Sequence, residues 1–429
     1  QKKFTNNKWK VFSSVQKLYE NIFVIPAIAE YDNLKKLFTS ILGNNQKYFD
    51  STLFVIVINN LKSTDELVKE ENQKTISYFN SIINKTSIDD LSEKIISSNI
   101  NIGLIDASSE NLEMPENDGG VGFARKIGMD LALNYFDYSS SKKKMIYCLD
   151  SDCLVSNNYL ETLIEEVNQK NIYAGYVEYE HQLPEDDEEK KAIILYEIFL
   201  RYYVLGLKYA TSPFAFDTIG STMFCDYEHY IKIGGMNKKK AAEDFYFLEK
   251  LAKIIQIEKI NKTKIFPSSR KSWRVPFGTG QRVNRYFQKT HNENLVYNPL
   301  SFEILKKWNE LFFNNEILSA DDYLFHAEKI DIHLKKFLIE QYFESAWNKI
   351  LNETNKKEQI QKQKKFWFDG FRTLKLIHYL RDLFYPMIEY EEAINYLFEK
   401  MEIQFQNKYE KVNWMHSYLY LQKLREINF

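Results

Sequence analysis

The sequence predicts an α/β fold, with an open, mostly parallel sheet flanked by helices and a helical C-terminal appendage. Short apolar runs alternate with amphipathic helical segments over the first half of the chain. The continuous run Leu53 to Ile58 is typical of a parallel strand that is covered on both faces. From about Ser301, strand signals fade and large apolar residues recur at helical spacing. We therefore expect two domains, at residues 1–300 and 301–429.

The elements follow from local patterns. An apolar run ending in Pro26 predicts the first strand, and Leu34, Leu37 and Phe38 share one face of the helix that follows, which Gly43 ends. Predicted strands then cover 53–58, 100–105, 145–148 and 174–179, and predicted helices lie within 62–99 and over 123–135, 159–169, 190–209 and 245–255. This rhythm places ligands beyond the carboxyl ends of the strands.

Bulk composition narrows the class of protein. Hydrophobic residues make up 44% of the 429 residues and charged residues 27%, which is ordinary for a globular domain. A net charge of −2 argues against nucleic acid as a partner. Three cysteines without metal-ligand spacing indicate a reducing compartment. No signal peptide or membrane span is evident, so we expect a cytoplasmic location.

An acid pair follows the predicted strand at 145–148. Leu149-Asp150-Ser151-Asp152 puts two carboxylates at a strand end, where burying unpaired charge is costly. Carboxylate oxygens suit Mn²⁺ or Mg²⁺, and such a cation can clamp a diphosphate. The alternative is a solvated, capped turn before the next helix.

A second acid pair, Glu243-Asp244, precedes a predicted helix. It could serve a reaction as a general base, or it could simply be favourable charge at a helix start. The glycine-rich segment that begins at Gly119 could suggest a dinucleotide fingerprint, but its third glycine is not at the right offset.

In order and spacing, several segments resemble the family 2 glycosyltransferases, which have the GT-A (Rossmann-like) fold. They are Val24–Glu30, the strand ending in Asn59-Asn60, Gly119–Gly128, Leu149–Asp152, and Gly234-Gly235-Met236 followed by Glu243-Asp244. The match covers roughly residues 20–280. The chain departs from the family at Asn59-Asn60, where relatives carry an acid, at Lys126, where they carry Asn, and at Met236, where they carry Phe.

The resemblance implies metal-dependent, inverting transfer of a sugar from a nucleotide diphosphate sugar, with UDP-sugar as the expected donor, to a hydroxyl of a saccharide or glycan. Saccharide or polysaccharide biosynthesis at the cell surface is the family-level expectation. The implied residues are Asp244 as general base with Glu243 as second choice, Asp152 and Asp150 at Mn²⁺ or Mg²⁺, and Pro26, Ala27, Glu30, Asn59, Arg125 and Asp150 at the nucleotide.

A basic, glycine-containing loop at 267–281 resembles the segment that closes over the sugar diphosphate in related transferases. Arg270 and Arg274 would contact phosphate, and Trp273 could stack on a sugar ring. The alternative is an ordinary basic surface loop.

Two other functions stay open for the chain as a whole. One is a sugar-phosphate nucleotidyltransferase, although the loop Ala27–Glu30 lacks the glycine and basic residues usual there. The other is a catalytically silent binding module. The C-terminal helices could be a packed bundle, a docking surface for a partner protein, or a peripheral contact with the inner face of a membrane; packing is the favoured interpretation.

Overall fold

A computed structural model describes residues 8–13, 16–272, 278–406 and 414–427. The chain divides into two compact units. The first contains Gln1–Gln182 and Thr218–Gly278, and the second contains Leu183–Asp217 and Thr279–Phe429. The helices after residue 300 thus share their unit with an earlier segment, and the domain boundary at residue 300 stays a prediction.

The strands are β1 Phe12–Ser13, β2 Asn21–Ala27, β3 Thr52–Asn59, β4 Asn101–Ala107, β5 Met145–Cys148, β6 Leu154–Val155, β7 Ala174–Tyr179, β8 Met223–Asp226, β9 Glu258–Phe266, β10 Leu295–Val296 and β11 Ile388–Glu389. The α-helices are α1 Tyr31–Leu42, α2 Glu66–Ile83, α3 Asp90–Ser97, α4 Val121–Ala132, α5 Tyr159–Gln169, α6 Asp187–Tyr209, α7 Tyr227–Lys232, α8 Glu243–Ala252, α9 Thr279–Gln288, α10 Pro299–Phe312, α11 Ala320–Ile330, α12 Ile332–Glu340, α13 Phe343–Glu353, α14 Lys357–Trp367, α15 Gly370–Leu383, α16 Tyr390–Lys400 and α17 Trp414–Glu426.

The first unit is built on a nine-stranded sheet in the order β1-β4-β3-β2-β5-β8-β7-β9-β6. Strands β4, β3, β2 and β5 are parallel, whereas β8 is antiparallel to both of its neighbours. All residues of β2 and β3 are buried, as expected for strands covered by helices on both faces. The predicted α/β class with a mostly parallel sheet is confirmed.

One face of the sheet and the helices packed on it form a continuous apolar cluster. In α1, Leu34, Leu37 and Phe38 are fully buried, so the predicted face of this helix is the one that packs. Phe23 of β2 stacks on Tyr147 of β5, with ring centroids 4.6 Å apart. Aromatic contact across neighbouring strands adds to the stability that area burial provides.

The second unit is helical apart from the short pair β10 and β11, as predicted for the C-terminal region. Its core is aromatic: Trp308 stacks on Phe312 with centroids 4.9 Å apart. The buried Glu197 carboxylate accepts hydrogen bonds from Arg201 and from both Nε and Nη2 of Arg425, which ties α6 to α17. None of the helices in the described part of the chain is long and apolar enough to cross a bilayer.

Candidate functional site

The carboxyl ends of β2, β3 and β5 lie at one edge of the sheet because these strands are parallel. Glu30 follows β2, Asn59 ends β3, and Asp150 and Asp152 follow β5. The amide of Leu149 donates to the carbonyl oxygen of Val24 at 3.1 Å, which extends the pairing of β5 with β2 up to the acid pair. The sheet thus carries the predicted residues to a shared edge.

Each aspartate of the first acid pair is bound by a different arginine. Asp150 Oδ1 accepts a hydrogen bond from Arg125 Nη2. Asp152 Oδ2 accepts hydrogen bonds from Arg270 Nε at 3.0 Å and forms an ion pair with Arg270 Nη2 at 2.9 Å. About a third of the Asp150 side chain and a quarter of the Asp152 side chain are exposed, so both carboxylates can still be reached from solvent.

Arg270 also binds Glu30, through Nη2 and Oε1. Glu30 is buried, and its Oε2 accepts a hydrogen bond from Asn33 at 2.6 Å. One guanidinium therefore joins the acid after β2 to the second acid after β5. This contact brings three predicted site residues together, from segments far apart in the sequence.

Burial has the largest effect on the protonation of Asp152. Burial and the negative charges of Asp150 and Glu30 raise the pKa of Asp152, Arg270 lowers it, and the net result is a pKa of about 6. The oxygens of Asp150 and Asp152 are of the hard type that Mn²⁺ and Mg²⁺ prefer. Among the described residues, no three His, Cys, Asp or Glu side chains are grouped to hold a metal ion. Two carboxylates of this kind are donors that a hard cation can share with phosphate oxygens and water.

The second acid pair occupies the first turn of α8, rather than the residues before the helix as predicted. Ala242, which precedes α8, has left-handed backbone angles (φ 57°, ψ 23°) and ends the approaching loop sharply, so that the helix begins at Glu243. Asp244 Oδ1 accepts a hydrogen bond from the amide of Phe245 at 2.7 Å. Burial raises the pKa of Asp244, while Arg125 opposes that shift.

Arg125, in the first turns of α4, also contacts this second pair. Its Nη1 donates to Glu243 Oε1 while its Nη2 holds Asp150. Arg125 and Glu243 are both buried, so this ion pair is shielded from solvent. Burial raises the pKa of Glu243, and the adjacent guanidinium works against that rise. The family resemblance implies a place for Arg125 against the nucleotide, and it indicates neither of these two contacts.

Two glycines permit this arrangement. A Cβ on Gly122 would lie 2.4 Å from the carbonyl oxygen of Lys239, so α4 packs directly against the segment that leads to α8. A Cβ on Gly220 would lie 2.5 Å from Arg125 Nη2. Gly220 lies in the turn before β8, which begins at Met223. Its identity as glycine was the available signal that another group packs closely against this turn.

The remaining predicted residues take different places. Pro26 and Ala27 lie at the buried end of β2. Asn59 Nδ2 donates to the carbonyl oxygens of Ala27 and Val57, so its amide nitrogen serves the sheet, and its contact with a nucleoside stays a prediction. Arg274 and Trp273 lie outside the described residues.

Comparison with known proteins adds the following findings. No family model matches the chain, and no curated protein matches its sequence. Among solved structures, S. aureus TarS 1–349 in complex with UDP-GlcNAc is 13% identical with a TM-score of 0.38, covering 91% of this chain and 95% of that one. The mannosyltransferase PcManGT from Pyrobaculum calidifontis, in complex with GDP-Man and Mn²⁺, is 11% identical with a TM-score of 0.38, covering 89% and 92%. At such scores, the argument for function rests on the chain's own residues.

Proposed function

We propose that this protein is a metal-dependent glycosyltransferase that moves a sugar from a nucleotide diphosphate sugar, with UDP-sugar as the expected donor, to a hydroxyl of a saccharide acceptor. The observation that carries the proposal is the convergence of two acid pairs on one guanidinium. Asp150 and Glu243 bind the two terminal nitrogens of Arg125. In a sugar transfer, carboxylates on one side can hold the cation that neutralises the leaving diphosphate, and a carboxylate on the other side can accept the proton of the attacking hydroxyl.

The donor side consists of Asp150, Asp152 and Arg270. When bound there with a diphosphate, Mn²⁺ or Mg²⁺ would neutralise the charge that develops on the leaving group. Asp152, with Asp150 beside it, is the proposed carboxylate ligand. Arg270 can give up its two carboxylates for phosphate oxygens, which a guanidinium binds in the same bidentate manner. Glu30 would then face the nucleoside, as the resemblance implies.

The acceptor side consists of Glu243 and Asp244. We assign the general base to Asp244 because Glu243 Oε1 is engaged by Arg125 and its side chain is only 5% exposed, whereas Asp244 is partly exposed. In the transfer, the acceptor oxygen forms a bond to the anomeric carbon as the bond from that carbon to the diphosphate oxygen breaks. The hydroxyl proton passes to the Asp244 carboxylate. Attack from the face opposite the leaving group inverts the anomeric configuration.

The direct test is a thermal-shift screen of UDP-GlcNAc, UDP-glucose, UDP-galactose and GDP-mannose, each with and without Mn²⁺, followed by measurement of released UDP or GDP. We expect one donor to stabilise the protein in a Mn²⁺-dependent manner and to be turned over slowly with water as acceptor. Asp152→Ala should remove both effects. Release of a nucleoside triphosphate on addition of pyrophosphate would instead indicate a nucleotidyltransferase, and binding without turnover a silent module.

A further inference from the structure

Within the described residues of this site, Arg125 forms ion pairs with one member of each acid pair. Its side chain is 2% exposed, and its two terminal nitrogens each bind a carboxylate, Glu243 at Nη1 and Asp150 at Nη2. Because this side chain is buried, a nucleotide phosphate could reach the guanidinium only if the groups that cover it moved away. The geometry therefore favours a role inside the protein over a contact with the nucleotide.

Packing fixes the position of this guanidinium. Gly220 lies against it so closely that a Cβ there would be 2.5 Å from Nη2 and 2.7 Å from Nη1. On the other side, Gly122 brings the backbone of α4 against Lys239 and Glu243. The arginine side chain thus has little room to change rotamer, and close-packed interiors resist such shifts.

A guanidinium is a planar, rigid fork, so the two carboxylates that it binds are held at a fixed separation. Glu243 is the direct neighbour of Asp244, and Asp150 is two residues before Asp152. Fixing Glu243 and Asp150 therefore fixes the proposed base relative to the proposed metal ligand. In reactions that depend on alignment, a displacement of about 1 Å can cost on the order of 100-fold in rate.

We propose that Arg125 is a positioning residue for the transfer reaction, one that sets the distance between the donor-side acids Asp150 and Asp152 and the base Asp244. This inference rests on the proposed function. It differs from a purely structural role, in which Arg125 would only neutralise a buried glutamate, because alignment depends on the shape of the fork as well as on its charge.

Arg125→Lys separates shape from charge, since lysine keeps the positive charge and loses the planar fork. With the donor that the thermal-shift screen identifies, we expect kcat for nucleotide release to fall roughly 100-fold. The donor KM and the dissociation constant of UDP with Mn²⁺, measured by calorimetry, should stay within about threefold of the wild type. Gly220→Ala is the second variant: it keeps Arg125 and both carboxylates but presses on Nη2, and it should lower kcat by about tenfold with KM unchanged.

Arg201→Lys is the matched control. It makes the same change in a buried arginine–glutamate pair, with Glu197, in the helical unit. We expect its kcat to equal that of the wild type, and the unfolding temperatures of all variants should be compared in parallel.

The outcomes separate the two levels of the proposal. A wild type that turns over none of the donors overturns the proposed function, and the positioning role with it. An active wild type with unchanged kcat in Arg125→Lys overturns the positioning role alone. A raised donor KM at constant kcat would instead make Arg125 a nucleotide contact.

Discussion

Arg270 Nε lies 3.0 Å from Asp152 Oδ2, so the proposed metal ligand is already bound to a protein cation. The same guanidinium binds Glu30. A divalent metal that arrives without a diphosphate has to compete with Arg270 for Asp152. A diphosphate that arrives with the metal offers Arg270 negatively charged phosphate oxygens, which can replace the two carboxylates as hydrogen-bond acceptors. Metal and nucleotide are therefore expected to bind together more readily than either does alone.

Arg270→Gln tests this competition. Removing the guanidinium leaves Asp152, Asp150 and Glu30 without its charge, so Mn²⁺ binding in the absence of nucleotide should tighten, by roughly tenfold. UDP binding in the presence of Mn²⁺ should weaken. Electron paramagnetic resonance of free Mn²⁺ measures the first effect and calorimetry the second.

The control for Arg270→Gln is Lys170→Gln, which removes one positive charge from the end of α5. Lys170 pairs there with Glu166, shortly before β7 begins. Because β7 runs in the same direction as β5, the start of β7 lies at the opposite edge of the sheet from Asp152. An Mn²⁺ affinity that rises equally in both variants, or in neither, would show that Arg270 does not compete for Asp152.

Asp244→Asn and Glu243→Gln should differ in their effects. Asp244→Asn removes the proposed base, and we expect kcat to fall by at least about 100-fold while the UDP dissociation constant stays unchanged. Glu243→Gln keeps an oxygen for Arg125 and removes only the charge, so a smaller fall of roughly tenfold is expected. Steady-state kinetics measures kcat, and calorimetry measures the UDP dissociation constant. Full activity of Asp244→Asn would remove this residue from the mechanism.

The dependence of kcat on pH should show an acid limb set by Asp244. Burial raises its pKa above the ordinary value of 3.8. A base acts only when deprotonated, so kcat should fall as pH drops through this raised pKa and level off at higher pH. The profile is measured with saturating donor and Mn²⁺. Glu243→Gln should keep the acid limb, whereas the residual activity of Asp244→Asn should lose it.

Lys364, in α14, predicts a pH-dependent stability in the helical unit. Its side chain is fully buried, and Nζ donates to the carbonyl oxygens of Asn314 at 3.1 Å and Glu316 at 2.5 Å. Burial lowers the pKa of Lys364 to about 8 from 10.5. Between these values the unfolded chain binds more protons than the folded one, so this residue makes the free energy of unfolding rise with pH.

Lys364→Met isolates that contribution. Urea unfolding should be measured at several pH values from 7 to about 10. Above pH 8, the free energy of unfolding of the wild type should increase relative to that of the variant, by at most about 1.4 kcal/mol per pH unit. The exposed Lys362 on the same helix provides the control variant Lys362→Met, which makes the same substitution outside the buried site. A constant difference for Lys364→Met would argue against the lowered pKa.

Local patterns were sufficient for much of the fold. Helix α1 ends before Gly43 as predicted, and β2, β3 and β5 lie where their apolar runs predict them, because each element buries one face or both. Strand β9 was missed because most residues of Glu258–Phe266 are polar, and the consecutive exposed residues Asn261 and Lys262 break the alternation that marks a half-buried strand. Strand β8 is only four residues long, which is too short for a clear sequence pattern.

The sequence predicted which residues form the site better than it predicted the side-chain contacts among them. Asp150, Asp152 and Glu30 were expected at one sheet edge, since strand ends can be read from the sequence. The sequence does not predict that Arg270 binds both Glu30 and Asp152, because this contact depends on how a loop distant in sequence returns to the sheet. The contacts of Arg125 depend in the same way on the path of the chain around Gly220.

The interruption of the first unit between Gln182 and Thr218 has a consequence for the order in which the site is made. During synthesis Asp150 and Asp152 emerge early, followed by a segment that belongs to the other unit, and only then by Glu243 and Arg270. Until those last residues arrive, the carboxylates at the sheet edge have no guanidinium from Arg270 beside them. Closing such a long-range contact is slow compared with forming local helices. A nascent chain is therefore expected to acquire its sheet first and its capacity for chemistry late.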